Sequence, residues 1–169
     1  MNFQVVEADF SNQDHCEAIP TLIDDYARDP VGRGEGLQKE ILERIVPGLA
    51  AHPSALVLLA YDGDRPVGIA NCFVGFSTFA ARPLINVHDL AVIMEYRGQG
   101  IGEKLLRSVE TKANELGCCK LTLEVREDNR ARRLYERFGF GDFSTAEEGT
   151  KTIFLEKKLG GRRSCLIEP

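Results

Sequence analysis

The chain has 169 residues, 43% of them hydrophobic and 28% charged, which suits a globular domain with a sizeable core and excludes a disordered chain. Its net charge is −5 and its pI is about 5.3, without a basic stripe, so the profile of a nucleic-acid-binding protein is excluded as well.

The first half of the chain predicts a strand, two helices and then a pair of strands. The strand FQVVEA is followed by a helix over residues 11–27, which Pro20 is expected to break or to begin. A Gly-rich loop leads to a second helix over residues 37–52, and Pro47 puts its last turn in question. Residues 54–79 predict two strands around the turn DGDRP.

The second half alternates strands and helices. PLINVHDLAVI is a β-rich run, and the helical stripe after the glycines that follow it ends at Gly117. KLTLEV predicts a strand, followed by a short helix capped by Asn129 and closed by Gly139. Residues 149–159 predict a last strand, and residues 160–169 a flexible tail. The order β-α-α-β-β-β-α-β-α-β indicates an α/β fold in a single domain, residues 1–169.

The cysteines and the apolar runs bear on compartment and metal binding. The five cysteines are odd in number and lack CxxC or Cys/His spacing, so they predict neither zinc binding nor a disulfide framework. We expect a reducing cytoplasmic location. The N-terminus does not resemble a signal peptide and no run has the length of a transmembrane helix, so no membrane partner is expected.

The segment YRGQGIGEKL places three alternating glycines before a helix. Such a loop can bind phosphate, because glycines let backbone N–H groups approach it and the helix N-terminus adds a favourable dipole. A Rossmann or a Walker loop would need glycine where Glu103 stands. The pattern that does match is R-x-x-G-x-G, from Arg97 to Gly102. Taken alone, it is also compatible with a tight strand-to-helix turn that binds nothing.

Two longer segments extend the pattern. DLAVIMEYRGQGIGEKLL resembles the fourth strand, acyl-CoA loop and third helix of the GNAT (Gcn5-related N-acetyltransferase) family, and LTLEVREDNRARRLYERFGF resembles its fifth strand and fourth helix. The resemblance covers residues 54–143. It implies a central mixed, mostly antiparallel sheet of about six to seven strands flanked by four helices, with parallel strands 4 and 5 splayed apart.

The resemblance also implies that acetyl-CoA lies between the splayed strands. Pantetheine would bond the backbone of Leu90, Ala91 and Val92, and pyrophosphate the N–H groups from Arg97 to Gly102, with charge from Arg97 and Lys104. The residues expected to bind the cofactor are Leu90, Ala91, Val92, Arg97, Gly98, Gln99, Gly100, Ile101, Gly102, Glu103, Lys104, Asn129, Arg132 and Tyr135.

Two of these residues have a structural alternative. Asn129 suits an N-cap, whereas the family's matching residue contacts pantetheine. Tyr135 falls on an apolar helical stripe and could be plain core. The resemblance implies instead that its hydroxyl protonates the leaving thiolate, which is chemically reasonable because phenols titrate near ~10 and thiols near ~8.5.

The attacking amine needs a base, because only roughly one in a thousand lysine-like amines is neutral at pH 7. Glu124 and His88 are candidates of nearly equal rank, and either could instead be an ordinary residue at a sheet face. Histidine suits proton transfer near neutral pH. Regular alternation would place His88 and Asp89 on opposite faces of their strand.

The acceptor side is suggested by GFSTFAARPLINVHDLAV, which resembles segments of the polyamine and thialysine acetyltransferase branch. His88 stands where that branch has a glutamate near the amine, which weakens the case for a polyamine. The candidate acceptor contacts are Phe76, Phe79 and Asp89. The function expected is acetyl transfer to a small-molecule amine by direct attack, and a homodimer is among the expected partners. The alternatives are a non-catalytic acyl-CoA-binding domain and a nucleotide-binding protein.

Overall fold

The computed structural model of the chain describes residues 3–30, 32–141, 155 and 157. Its elements are, in order, β1 (Gln4–Glu7), α1 (Gln13–Arg28), α2 (Lys39–Ala51), β2 (Ala55–Asp62), β3 (Arg65–Ser77), β4 (Arg82–Val92), a short 3-10 helix (Met94–Tyr96), α3 (Ile101–Glu115), β5 (Leu121–Leu123) and α4 (Arg132–Phe138). These elements have the predicted order. The last predicted strand, apart from Leu155 and Lys157, and the tail lie outside the described residues.

The described strands form one five-stranded sheet in the order β1-β2-β3-β4-β5. This part of the chain therefore has fewer strands than the six to seven predicted. Neighbours are antiparallel except β4 and β5, which are parallel and pair only from Ile85 to Val87 with Leu121 to Leu123. Beyond that point β4 continues to Val92 without β5 beside it, which confirms the predicted mixed sheet with two splayed parallel strands.

Two hydrophobic clusters cover the two faces of the sheet. On one face α3 packs Ile101, Leu105 and Val109 against the sheet, and α4 adds Leu134 and Tyr135. On the other face α1 packs Ile19 and Leu22 against β2 and β3, and α2 adds Ile45 and Leu49. The helices α3 and α4 thus lie on one face of the sheet, and α1 and α2 lie on the other.

Both prolines that were expected to disturb helices lie inside them. The helix α1 starts after Asn12, whose side chain accepts the N–H groups of Asp14 and His15, and it runs through Pro20. In the same way α2 continues past Pro47 to Ala51. Each proline removes one helical hydrogen bond, and burial of the apolar side of each helix offsets that loss.

Candidate active site

A cleft of about 710 Å³ opens where β4 and β5 separate, a volume within the usual range of ligand sites. Its walls are the free side of β4, the loop before α3, and α4. Leu90, Ala91 and Val92 pair with β3 on one side, so the backbone groups directed to the other side face the cleft. A ligand with amide groups could therefore add to the edge of β4.

The glycine loop forms one end of the cleft. Gly98 and Gly100 have φ values of 78° and 84°, in the left-handed region that favours glycine. Gly100 is the N-cap of α3 and supplies no side-chain cap, so the first N–H groups of the helix are open to a ligand. A Cβ on Gly102 would lie 3.1 Å from Leu134 Cδ2, so this glycine lets α4 pack closely against the start of α3.

The cations predicted to bind pyrophosphate are placed differently from the prediction. Arg97 borders the cleft, but its Nη1 lies 2.6 Å from Asp29 Oδ2 and its Nε donates to the Val92 carbonyl at 2.8 Å. Lys104 donates to the carbonyl of Phe3. The structure therefore ties Arg97 to the end of α1 and directs Lys104 toward the start of the chain.

Two further predicted contacts lie outside the cleft lining. Arg132 lies 3.6 Å from Glu136 and points along the outer side of α4. The side chain of Gln99 donates to the Glu95 carbonyl at 3.0 Å. The remaining loop residues, Gly98, Gly100, Ile101, Gly102 and Glu103, do line the cleft.

The sequence reasoning missed three arginines, Arg130, Arg133 and Arg137, which line the cleft from the α4 side. Arg133 and Arg137 are four residues apart, and this spacing is the signal that could have found them, because it places both side chains on one face of α4, whereas Arg130 lies in the turn before the helix. Arg132, which was chosen instead, falls off that face.

Tyr135 lines the cleft and packs edge-on against Phe140, with ring centroids 5.9 Å apart. Burial, and to a lesser extent the nearby Tyr26, raises the pKa of Tyr135 to about 12. The hydroxyl is thus kept protonated and able to donate. Tyr26 itself lies on α1, lines the cleft and was not predicted.

Asn129 does not cap the helix as predicted, because α4 starts at Arg132 with Ala131 as its cap residue. The Oδ1 of Asn129 instead accepts the Ala131 N–H at 2.9 Å and closes the turn that leads into the helix. Asn129 also lines the cleft, so its side chain is placed for contact with a ligand there.

A bulge interrupts β4 at the acceptor side. Asn71 pairs with Asp89 and Cys72 with Val87, which leaves His88 as the extra residue. Val87 and Leu90 both pack on the cluster under α3, so His88 and Asp89 come between two side chains of the same face. The expectation of regular alternation was wrong here for that reason. His88 lines the cleft, whereas Asp89 accepts from Asn71 Nδ2 at 3.1 Å.

Aromatic contacts of the acceptor side also differ from the prediction. Phe76 and Phe79 are 64% and 104% exposed at the tip of the β3–β4 hairpin, outside the cleft lining. The ring next to His88 is Phe73, at a centroid distance of 5.6 Å. Phe73 was missed because its position in β3 becomes informative only once the register with β4 is known.

Glu124 follows β5 directly and lines the cleft. The Nδ2 of Asn86 lies 3.3 and 3.2 Å from its two carboxylate oxygens and holds the carboxylate toward β4. Both candidate bases, His88 and Glu124, thus border the same opening. Among the described residues no group of His, Cys, Asp and Glu is arranged to hold a metal ion, and no described helix has the length and hydropathy needed to cross a membrane.

Comparison with known proteins agrees with this geometry. The sequence model of the acetyltransferase (GNAT) family matches residues 19–140. A thialysine N-epsilon-acetyltransferase from Bos taurus is 40% identical over 87 residues, 51% of each chain. A ribosomal protein bS18-alanine N-acetyltransferase from Haemophilus influenzae is 34% identical over 79 residues, 47% of this chain and 51% of that protein. The chain thus spans about half the length of these curated relatives.

A solved structure described as a probable acetyltransferase has the same fold. Its TM-score against this chain is 0.77 at 20% identity, over 93% of this chain and 99% of that one. The likeness therefore extends to most of the chain, including the first helices, where the sequence resemblance was thinnest.

Proposed function

Since the chain belongs to the acetyltransferase (GNAT) family, we propose that it transfers an acetyl group from acetyl-CoA to a small-molecule primary amine, with both substrates bound at once. The observation that carries the proposal is the cleft between β4 and β5. It joins a strand edge, a helix start without a side-chain cap and the half-buried phenol of Tyr135 in one continuous space.

The residues present fit coenzyme A. The N–H groups at Gly98–Gly102 suit its diphosphate, and the edge of β4 at Leu90–Val92, where Arg97 already donates to the Val92 carbonyl, suits the amides of its pantetheine arm. The side chain of Asn129 offers a further polar contact along that arm. When bound, acetyl-CoA supplies the activated acyl group, and the chain's own residues position it and manage the protons.

In the proposed reaction the amine nitrogen forms a bond to the acetyl carbon and the bond from that carbon to sulfur breaks. His88 accepts the proton that the amine loses, because it lines the cleft and histidine suits proton transfer near neutral pH. Glu124, held by Asn86, attracts the ammonium form of the acceptor. Tyr135 donates its proton to the departing thiolate, and solvent exchange restores both side chains.

Direct attack is also supported by the state of Cys72. Its side chain is 1% exposed, and burial raises the pKa of its thiol to about 12. A thiol of that kind is a poor nucleophile at neutral pH, because the thiolate is the reactive form. An acetylated cysteine at this position is therefore not part of the proposed reaction.

The proposal that the acceptor is a small amine is supported by the similarity to the thialysine N-epsilon-acetyltransferase, which is named for a small amine. The second is named for an alanine of ribosomal protein bS18, so a peptide acceptor is the competing possibility. A carboxylate beside the opening, Glu124, suits any acceptor that arrives as a cation.

The test combines calorimetry with an assay of thiol release. CoA should bind, and ATP and NAD should not, because neither offers a pantetheine arm to β4. Thiol should then be released with thialysine or a short diamine and not with a peptide that begins with alanine. Binding of ATP without CoA would refute the proposal. Binding of CoA without turnover on any amine would favour the non-catalytic acyl-CoA-binding domain.

A further inference from the structure

The cleft connects the two faces of the sheet. Among the residues that line it, Leu90 and Tyr135 pack in the cluster under α3, whereas Ala91 packs in the cluster under α1. Tyr26, which belongs to α1, lines the same cleft. The two faces communicate because the pairing of β5 with β4 ends at Val87, and β4 continues beyond it. A ligand that enters from the side of α3 and α4 therefore reaches the side of α1.

Tyr26 forms the wall of the cleft on the side of α1. The residue is half-buried, and within the described part of the chain it is the one residue of α1 that lines the cleft. Burial, followed by the carboxylates of Asp89 and Asp29, raises the pKa of its hydroxyl, so the side chain is an uncharged ring at neutral pH. Tyr26 in turn contributes to the raised pKa of Tyr135, so the two phenols lie near each other.

The end of α1 that carries Tyr26 is held in place by backbone and side-chain contacts. The Tyr26 carbonyl accepts the N–H of Asp29 at 3.1 Å, and Asp29 Oδ2 lies 2.6 Å from Nη1 of Arg97 in the loop before α3. A Cβ on Gly32 would lie 2.2 Å from the same carbonyl oxygen, so the loop after α1 packs directly on this turn. The Tyr26 ring is therefore part of a fixed wall.

The proposed reaction assigns a partner to the other walls of the cleft. While the bond to nitrogen forms and the bond to sulfur breaks, the acyl carbon has four neighbours: sulfur, nitrogen, oxygen and the first carbon of the acyl chain. In the proposed reaction the sulfur lies near Tyr135 and the nitrogen near His88. Backbone N–H groups at the edge of β4 suit the oxygen. The wall left for the acyl chain is that of α1, where Tyr26 lies.

Resting on the proposed function, we infer that Tyr26 limits the length of the acyl group, because its ring ends the space into which the acyl chain extends. Acetyl-CoA then fits, and a longer acyl-CoA binds poorly, since extra methylene groups in a filled space displace their neighbours. A pocket of this kind discriminates about 10- to 200-fold per methylene. Tyr26 is thus a specificity residue and takes no part in proton transfer.

The experiment measures by calorimetry the Kd of the full chain for free coenzyme A, acetyl-CoA and butyryl-CoA. The wild type should bind acetyl-CoA at least about 10-fold more tightly than butyryl-CoA. Tyr26→Ala opens space on the side of α1, so it should bring these two Kd values within about threefold of each other and leave the Kd for free coenzyme A nearly unchanged.

Two further variants are matched controls. Tyr26→Phe removes the hydroxyl and keeps the ring, so it should keep the preference for acetyl-CoA. Tyr61→Ala removes a ring that also packs in the cluster under α1 but lies outside the cleft lining, and it should keep the preference as well. Thermal unfolding shows whether each variant is folded. Tyr26→Leu, which keeps apolar packing, replaces Tyr26→Ala if the alanine variant unfolds.

Equal affinity of the wild type for acetyl-CoA and butyryl-CoA, with free coenzyme A bound, overturns the inference and leaves the proposed function standing. A preference that survives the loss of the Tyr26 ring also overturns it. Loss of the preference in Tyr26→Phe or in Tyr61→Ala overturns it too, since the hydroxyl or a general loosening under α1 would then be responsible. Binding of none of the three compounds by the wild type overturns the proposed function, and the inference falls with it.

Discussion

At the scale of single residues, Tyr135 combines the two roles predicted for it as alternatives, packing in the core and bordering the site. It packs with the core under α3 and also lines the cleft, and burial raises its pKa to about 12. Because that value lies far above neutral, the phenol stays protonated throughout an ordinary assay. Tyr135→Phe removes only the hydroxyl, so we expect kcat to fall by about 10²-fold while the Kd for coenzyme A changes little.

The measurement pairs thiol release with calorimetry on the same preparation. The wild type should show no loss of activity on the alkaline side that can be assigned to Tyr135 below about pH 11, since a raised pKa keeps the acid form. A large loss of coenzyme A affinity in Tyr135→Phe would instead show a structural role for the hydroxyl.

His88 is proposed to accept a proton and Glu124 to attract the cationic amine, and this difference gives a second prediction. If His88 accepts the proton, His88→Gln should flatten the acidic limb of the pH profile of kcat/KM and lower kcat. Glu124→Gln should raise the KM for a cationic amine and keep that limb, because its proposed task is attraction. Asn86→Ala is the control for positioning and should resemble Glu124→Gln in a weaker form. Loss of the acidic limb in Glu124→Gln would exchange the two roles.

The residues that sequence could and could not identify differ in one physical respect. His88, Glu124 and Tyr135 stand in the segments that carry the family resemblance, and each lines the cleft. The partners of Arg97 and Lys104 were not found, because Asp29 and Phe3 lie far away in the chain and no pattern encodes such pairings. The partner of a long, flexible side chain depends on which residues the fold brings near it, and the local sequence does not specify them.

At the scale of elements, the loop before α3 owes its shape to left-handed glycines. A Cβ on Gly100 would meet nothing within 4 Å, so a substitution there is strained by its φ of 84° and not by a clash. We expect Gly100→Ala to lower the free energy of unfolding by about 1–2 kcal/mol.

The matched control is Gly48→Ala in α2, where a Cβ also meets nothing but the backbone is helical. Alanine favours a helix over glycine, so this change should raise the free energy of unfolding by about 0.5–1 kcal/mol. Urea denaturation of the two variants measures both effects. Equal effects of the same sign at the two sites would show that the loop does not depend on the left-handed conformation.

Some boundaries of helices can be predicted from local sequence signals alone. Gly117 and Gly139 both take positive φ and mark the ends of α3 and α4, as predicted. Pro20 and Pro47 were expected to disturb their helices and lie inside them instead, because burial of a helix face against the sheet is a tertiary effect that outweighs local preference. The bulge at His88 had no signal in a single strand, since a bulge exists only relative to the partner strand.

At the scale of the whole molecule, the cleft is lined by residues from an early helix and from elements much later in the chain. The segment with the clear resemblance supplies β4, the glycine loop and α4, whereas α1 supplies Tyr26 and the loop after it supplies Asp29. The sequence singled out residues of β4, the glycine loop and α4 that line the cleft, and it did not single out Tyr26 of α1. The ion pair between Asp29 and Arg97 is the link between these two parts.

Asp29 has a side chain only 7% exposed, and Arg97 bonds it at 2.6 Å while also donating to the Val92 carbonyl. A double-mutant cycle of Asp29→Asn and Arg97→Gln should give a coupling free energy of about 1–3 kcal/mol in urea unfolding. Lys39 and Glu43, which are 84% and 62% exposed in α2, form the control pair, with an expected coupling of at most about 0.5 kcal/mol.

The same variants also separate a positioning role for Arg97 from a phosphate contact. If Arg97 positions the loop through Asp29, then Asp29→Asn and Arg97→Gln should weaken coenzyme A binding by similar factors, and the double variant should be little worse than either. If Arg97 contacts the phosphates, Asp29→Asn should bind normally and Arg97→Gln alone should lose affinity. Arginine is required in the first case, because lysine cannot reach both Val92 and Asp29 with a single ammonium group.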